Sequence, residues 1–364
     1  MNTDWHYAWT APHARADLKT FASDFLVEEI LGFEPEGKGE FVYLWVEKQG
    51  VNTDYLAKRL AQAADISPNR VTYAGVKDRH ACTRQWFCLH MTGQTPDLSG
   101  IEQVFREPEM VRVLLQTRHS KKLKTGGLQG NRFVLRLRNI QGERLEIEQR
   151  LSLIERFGVP NYYGEQRFGI QGNNLVNGYK FVTPGRKGTH KLNKTQSFWL
   201  SAIRSWFFNE ALSQFVEQGS WDTLSVGDIA QPRDGMQSFR IKEHSLENLV
   251  RHRNGDISPV LPLISDGWPM GTNPERAKAM TELYVEQSEL LEGLISFDFS
   301  RDSRATRIVP TNMAWELLSN GKEPDQLVLQ FELPKGAFAT SVLRELFTIN
   351  DRSQEKHNET TSFE

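Results

Sequence analysis

Apolar and polar residues alternate most cleanly over residues 132–138, where Phe133, Leu135 and Leu137 fall on one side and Arg132, Val134, Arg136 and Arg138 on the other. A period of two predicts a strand whose sheet buries one face and shows a basic one. Strands are also predicted over residues 25–30, over 41–46 around Tyr43 and Trp45, over 70–74 and over 85–91. Leu56 and Leu60 have helical spacing, with Asn52 or Thr53 as N-cap. Residues 143–157 read as an amphipathic helix stopped by Gly158, with Pro160 beyond.

The texture then changes. Residues 161–193 are rich in Gly and Asn, an aromatic-dense helix is predicted over 197–216, and 219–273 is broken by Gly, Pro and Asp. A long helix is predicted over 273–294. Strand patterns return at 306–309 and 327–333, ahead of a final helix at 340–346. Strands and helices thus alternate up to about 158 and resume near 306, the pattern of a mixed domain split by a long insertion. The expected division is a core domain of 1–157 and 308–350, an insertion domain of 158–307, and a flexible tail of 351–364 without a core-forming pattern.

Length agrees with two domains, since 364 residues exceed one average domain. The two cysteines, Cys82 and Cys88, form no CxxC or metal-spaced cluster and read as small apolar residues in a reducing compartment. No basic start followed by an apolar run opens the chain, and no stretch approaches the length needed to span a bilayer. The expectation is a cytoplasmic protein without membrane contact.

Charge changes the picture through its placement. Lys plus Arg total 44 and Asp plus Glu 46, a balance that alone argues against a polyanion partner. Yet no acid lies between Glu109 and Glu143, where Arg112, Arg118, Lys121, Lys122, Lys124, Arg132, Arg136 and Arg138 fall. None lies between Glu165 and Glu210 either, a stretch holding Arg167, Lys180, Arg186, Lys187, Lys191, Lys194 and Arg204. Two acid-free basic segments in a near-neutral chain predict a polarised surface suited to phosphates.

Four segments could carry chemistry. Tyr73 to Gln85 places Lys77, Asp78, Arg79 and His80 on a loop between strands, where adjacent cations favour an ionised Asp78; an ordinary charged turn would look the same. Gly126 to Phe133 offers glycines for close backbone approach and Asn131 for a base edge, although a hairpin turn fits the pattern as well. Residues 161–169, NYYGEQRFG, combine aromatic, amide and Arg side chains suited to bases and phosphates, or to a packed junction loop. In residues 334–341, PKGAFATS, Phe338 sits on a strand-to-helix connection, free to stack on a base or to pack. Walker A, GxSxG, HExxH and paired zinc signatures are absent from the sequence, which disfavours NTPases, serine hydrolases and zinc deaminases.

Taken together and in order, GVKDRHACTRQ, GGLQGNRF, NYYGEQRFG and LPKGAFATSVLREL, with LKTFASDFLVEE near the start, resemble the TruD family of tRNA pseudouridine synthases. The resemblance covers about Leu18 to Leu346. It departs at Tyr163, where the family has Phe, and weakens over 173–193 and after 351. It implies an α+β fold: a pseudouridine-synthase core with a mixed, mainly antiparallel sheet and flanking helices, interrupted by a TRUD insertion domain. It implies isomerisation of uridine to pseudouridine in tRNA, at position 13 of the D-arm, with no cofactor and no metal; nothing in the sequence demands an oligomer, and a monomer is expected. Asp78 matches the family's catalytic Asp. Phe25, Asn131 and Phe338 match positions that contact the target nucleotide, and Lys19 a basic residue near the site.

With Lys77 and Arg79, Lys19 would support the charge on Asp78. Lys121, Lys122, Lys124, Arg132, Arg167, Arg186 and Lys187 are expected on the RNA. Two other readings are carried. One is a catalytically silent RNA-binding or RNA-folding protein with the same surface. The other is a glycoside-type hydrolase, disfavoured because no second acid lies near Asp78 in its loop.

Overall fold

A computed structural model describes residues 1–182, 192–235, 237–269, 272–319 and 325–353. The chain divides into two compact units. The sheet unit comprises His13–Glu148, Pro310–Gly336 and the chain from Phe347 on; the helix-rich unit comprises Met1–Pro12, Gln149–Val309 and Ala337–Leu346.

The sheet unit opens with β1 (Arg15–Leu18), β2 (Phe25–Ile30) and β3 (Phe41–Gln49), followed by α1 (Thr53–Ala63), β4 (Val71–Tyr73), β5 (Cys82–His90), β6 (Met110–His119) and β7 (Gly130–Gln141). In β3 the period of two sends Val42, Leu44 and Val46 into a core shared with Leu56 and Leu60 of α1, while Tyr43 joins Trp86, Leu123 and Leu128 on the opposite face. Burying these large side chains contributes ~1.5–3 kcal/mol each. α2 (Arg144–Phe157) leads out of this unit.

The helix-rich unit contains β8 (Val159–Pro160), α3 (Asn173–Val182) and α4 (Lys194–Glu217), then β9 (Ile229–Pro232), β10 (Phe239–Arg240), α5 (Leu246–Arg253) and β11 (Ile257–Pro262). α6 (Pro274–Leu283), α7 (Ser288–Ile295), β12 (Ser303–Ala305) and β13 (Arg307–Ile308) follow. Its core gathers Leu200, Ile203, Phe207, Leu212 and Phe215 of α4 with Leu175, Met280 and Leu294. The chain returns to the sheet unit through β14 (Thr311–Leu318) and β15 (Gln326–Pro334). α8 (Ala339–Leu346) belongs to the helix-rich unit, and β16 (Thr348–Asp351) to the sheet unit.

Among the described residues the large sheet has ten strands in the order β14-β15-β7-β2-β5-β3-β6, with β1 on β7 and β16, and β4 on β5. It is mixed and mainly antiparallel: only β1·β16 and β2·β5 run parallel. One irregularity positions the site. β3 pairs with β5 along Thr83 to His90, whereas the opposite edge of β5 is shared, β2 covering Cys82 to Arg84 and β4 covering Val71's partner Leu89 down to Phe87. The sheet is therefore split beside Gln85 and Trp86, and the loop that carries Asp78 leaves β4 at this split. No helix among the described residues is long and apolar enough to cross a membrane.

Several expectations are corrected. The long helix over 273–294 is two helices, because Tyr284 leaves helical phase to pack against Phe207 and Trp268. The segment before β7 is no hairpin turn: β6 pairs with β3, and β7 with β2 and β15. The basic face of β7 is largely neutralised, since Arg138 is held by Asp24 at 2.8 Å and Arg132 lies 3.8 Å from Glu28 and 3.7 Å from Glu332. Asp351, expected to begin a flexible tail, ends β16; residues 354–364 lie outside the described residues.

Candidate active site

Lys19 follows β1 in the left-handed region at φ 56°, a conformation that costs an L-residue ~1–2 kcal/mol. From there its buried Nζ reaches Asp78 Oδ2 at 2.6 Å and lies 4.8 Å from the centre of the Phe25 ring. Asp78 Oδ1 accepts the His80 backbone N–H at 2.9 Å. Burial pushes the Asp78 carboxyl up, but the Lys19 ammonium and the His80 N–H outweigh it and hold the group below the usual carboxylate value. Phe25 packs edge-on against Phe133.

A second cation stands beside the first. Lys77 Nζ donates to Asn131 Oδ1 at 2.5 Å and pairs with Glu29 Oε1 at 3.2 Å. The other Glu29 oxygen accepts the Trp86 N–H at 2.8 Å, which satisfies the β5 backbone where the sheet is split. Burial raises the Glu29 pKa, and Lys77 partly offsets this. A third ammonium, on Lys48, is fully buried, and its Nζ has no hydrogen-bond partner among the described residues. Burial lowers its pKa to about 8 against the pull of Asp78.

The loop backbone is pinned on both sides of residue 76. Gln85 Nε2 donates to the Gly75 carbonyl at 3.3 Å, and Gln85 Oε1 accepts from Thr53 Oγ1 at 3.0 Å. Thr53 Oγ1 in turn accepts the Lys77 N–H at 3.1 Å, and the Gly50 N–H donates to the Arg79 carbonyl. Thr53 and Gln85 are buried, so each bond lost would leave a polar group unsatisfied. Thr53→Val is expected to lower kcat roughly tenfold with KM unchanged, and Thr53→Ser to restore it. Steady-state kinetics of the two variants check this.

The remaining candidates are placed as follows. Arg79 is exposed at the loop tip. Lys121, Lys122 and Lys124 are exposed on the connection after β6, which is tied to β4 by Thr72 Oγ1 donating to the Leu123 carbonyl and the Gly126 N–H donating to the Ala74 carbonyl. That connection therefore runs next to the root of the Asp78 loop. Phe338 and Arg167 belong to the helix-rich unit, where Phe338 is half-buried and contacts Tyr163. The Arg304 guanidinium lies 3.9 Å from the Tyr163 ring centre and 5.7 Å from that of Phe338, and it donates to the Asn161 carbonyl at 2.9 Å. A Cβ at Gly164 would sit 2.7 Å from Thr340 Oγ1, so a larger residue there would oblige that hydroxyl to turn away. Arg186 and Lys187 lie outside the described residues.

Sequence reading missed Glu29, Lys48, Thr53, Gln85, Arg304 and Asp351. For Lys48 a signal existed: the alternation of β3 puts it on the buried face of Val42, Leu44 and Val46. For the others, partners distant in sequence decide the role.

A family model described as tRNA pseudouridine synthase D (TruD) matches residues 3–184 and 186–346. The chain is 39% identical over 346 residues to a tRNA pseudouridine synthase D of Aeromonas hydrophila, covering 95% of this chain and 94% of that one. It is 38% identical over 336 residues to that of Pseudomonas entomophila, 92% of either chain, and 38% over 350 residues to that of Hydrogenovibrio crunogenus, 94% of this chain and 96% of that one. The crystal structure of a TruD protein from Methanosarcina mazei has the same fold, at TM-score 0.68 and 20% identity over 95% of this chain and 96% of that one. The chain belongs to the tRNA pseudouridine synthase D (TruD) family.

Proposed function

We propose that this chain isomerises uridine to pseudouridine in tRNA, at position 13 of the D-arm, and that Asp78 begins the reaction. The observation that carries the reading is the Lys19–Asp78 pair: a carboxylate kept ionised, a quarter exposed, beside Phe25 and the Lys77–Asn131 pair. Two routes are open to it. Asp78 attacks C1′ as the C1′–N1 bond breaks, or it removes the C2′ proton as that bond breaks. Uracil departs with the bonding electrons, turns, and rejoins C1′ through C5, displacing the Asp78 carboxylate in the first route and, in the second, as Asp78 returns its proton to C2′. The C5 proton is then lost and N1 gains one, so atoms balance without a redox or phosphoryl step.

The uridine must first leave its stack, at a cost of a few kcal/mol. Stacking on Phe25 or Phe338, at ~1–3 kcal/mol, would offset that, with Asn131 holding the turning uracil edge. Lys121, Lys122, Lys124, Arg132 and Arg167 would take phosphates. A monomer acting in the cytoplasm, without cofactor or metal, completes the proposal. So does the division into a catalytic domain of 1–157 and 308–350 and an insertion of 158–307.

The test is conversion of an unmodified tRNA transcript by the purified protein, with pseudouridine mapped chemically. A single pseudouridine at position 13 is expected. Tight binding without conversion would favour the silent RNA-binding reading, and release of free uracil the hydrolase.

A further inference from the structure

We propose that Asp351, on the last strand, is a positioning residue of this reaction: it takes over the Lys19 ammonium when Asp78 loses its negative charge. The inference rests on the assignment of Asp78 above. Both routes consume that charge. Attack at C1′ turns the carboxylate into an ester, and removal of the C2′ proton turns it into a carboxylic acid. In either intermediate Lys19, 6% exposed, would be a buried cation stripped of its counterion, a state proteins strongly disfavour.

Asp351 is built to prevent that. Its Oδ2 lies 3.9 Å from Lys19 Nζ, while Asp78 Oδ2 lies at 2.6 Å, so the ammonium already has two carboxylates within ion-pair reach. Backbone geometry fixes the arrangement. β16 runs parallel to β1 with Leu18 opposite Asp351, one residue before Lys19. Asp351 Oδ1 accepts the Ser353 backbone N–H at 2.9 Å and the Ser353 hydroxyl at 2.6 Å, leaving Oδ2 for Lys19. Asp17, two residues before Lys19 in the chain, is engaged by Asn139, Asn350 and Arg352. Glu29 is engaged by Lys77 and the Trp86 N–H. Asp351 also lies beyond residue 346, where the family match ends, and it supplies the second acid that the Asp78 loop itself lacks.

The experiment compares wild type, Asp351→Asn and Asp351→Glu on tRNA, with kcat, KM, the pH profile and melting followed together. Asp351→Asn is expected to lose roughly tenfold in kcat with KM unchanged. The acid limb of its profile should move to lower pH. Lys19 and His80 act on Asp78, Lys48 interacts with it and is itself acted on by Lys77 and Glu29, and Asp351 faces Lys19; removing Asp351 leaves Lys19 to Asp78 alone, so that Asp78 is harder to protonate. Asp351→Glu should recover most of the rate.

Wild-type kcat in Asp351→Asn overturns the proposal. So does a loss that tracks the unfolded fraction while the acid limb stays in place. An active Asp78→Asn, by contrast, would sink the assignment of Asp78 and this inference with it, whereas an inactive Asp78→Asn beside a fully active Asp351→Asn sinks this inference alone.

Discussion

Asp78→Asn is expected to abolish pseudouridine formation, by at least about a thousand-fold in kcat/KM, while tRNA binding survives. The amide fills the same space and can still accept the His80 N–H, so the loop stays pinned by Thr53 and Gln85. It is neither a nucleophile nor a base. Single-turnover conversion and filter binding of the same preparation separate the two effects; retained conversion would refute the assignment. The pH dependence has a definite sign. The folded-state pKa of Asp78 lies below 3.8, so the carboxylate is present throughout the neutral and mildly acid range. The stability contributed by the Lys19–Asp78 pair is present above the unfolded value and is lost as pH falls through the folded one. The stability difference between wild type and Asp78→Asn should therefore be constant from neutrality down to about pH 4 and shrink below it.

The site follows from one topological fact. Because β2 and β4 share a single edge of β5, Gln85 and Trp86 lack a strand partner on that edge among the described residues, and side chains bridge the gap. Glu29 takes the Trp86 N–H, and the Gln85 amide takes the Gly75 carbonyl. A carboxylate so deeply buried needs a cation, and Lys77 supplies it while also orienting Asn131. The loop that fills the split then presents Asp78 to Lys19. The bonds that satisfy the split sheet are here the same ones that place Asp78.

This logic explains what could be read from the chain. The alternation of β7 and the spacing of Leu56 and Leu60 are local, and both elements formed where expected. β6 escaped notice because a bulge opposite Trp45 and Val46 breaks its alternation, leaving Leu114 and Leu115 both exposed. α3 was obscured by Gly178, whose missing Cβ admits Ile203 and the Trp199 carbonyl of α4. Charge counting along the chain found no acids near Arg132 and Arg138, yet Glu28, Glu332 and Asp24 reach them across strands. Asp78, Phe25 and Asn131 stood in recognisable motifs. Lys19's second partner, Asp351, is 332 residues away in the sequence, and only the β1·β16 register makes the two adjacent.

Lys48→Met is expected to stabilise the protein at pH 7 by about 3 kcal/mol at most. The gain follows from proton linkage. In the unfolded chain Lys48 titrates near the ordinary 10.5, in the folded protein at about 8. Below pH 8 both states carry the proton, and the folded state alone bears the cost of a buried ammonium without a hydrogen-bond partner among the described residues. Between about pH 8 and 10.5 the unfolded chain keeps a proton that the folded one has released, so stability conferred through this group rises with pH. Above 10.5 the cost has gone. The excess stability of the variant over wild type should thus be largest below pH 8 and vanish by about 10.5; denaturant midpoints across that range measure it. An excess independent of pH would mean that packing of the thioether, rather than removal of the charge, stabilises the variant. The same change should carry a functional cost, because Asp78 and Glu29 both feel the Lys48 charge. Without it both carboxyls hold their protons more tightly, and activity should fail at a higher pH on the acid side than in wild type. A buried lone cation that weakens the fold and strengthens the carboxylate is the expected trade of stability for function at this position.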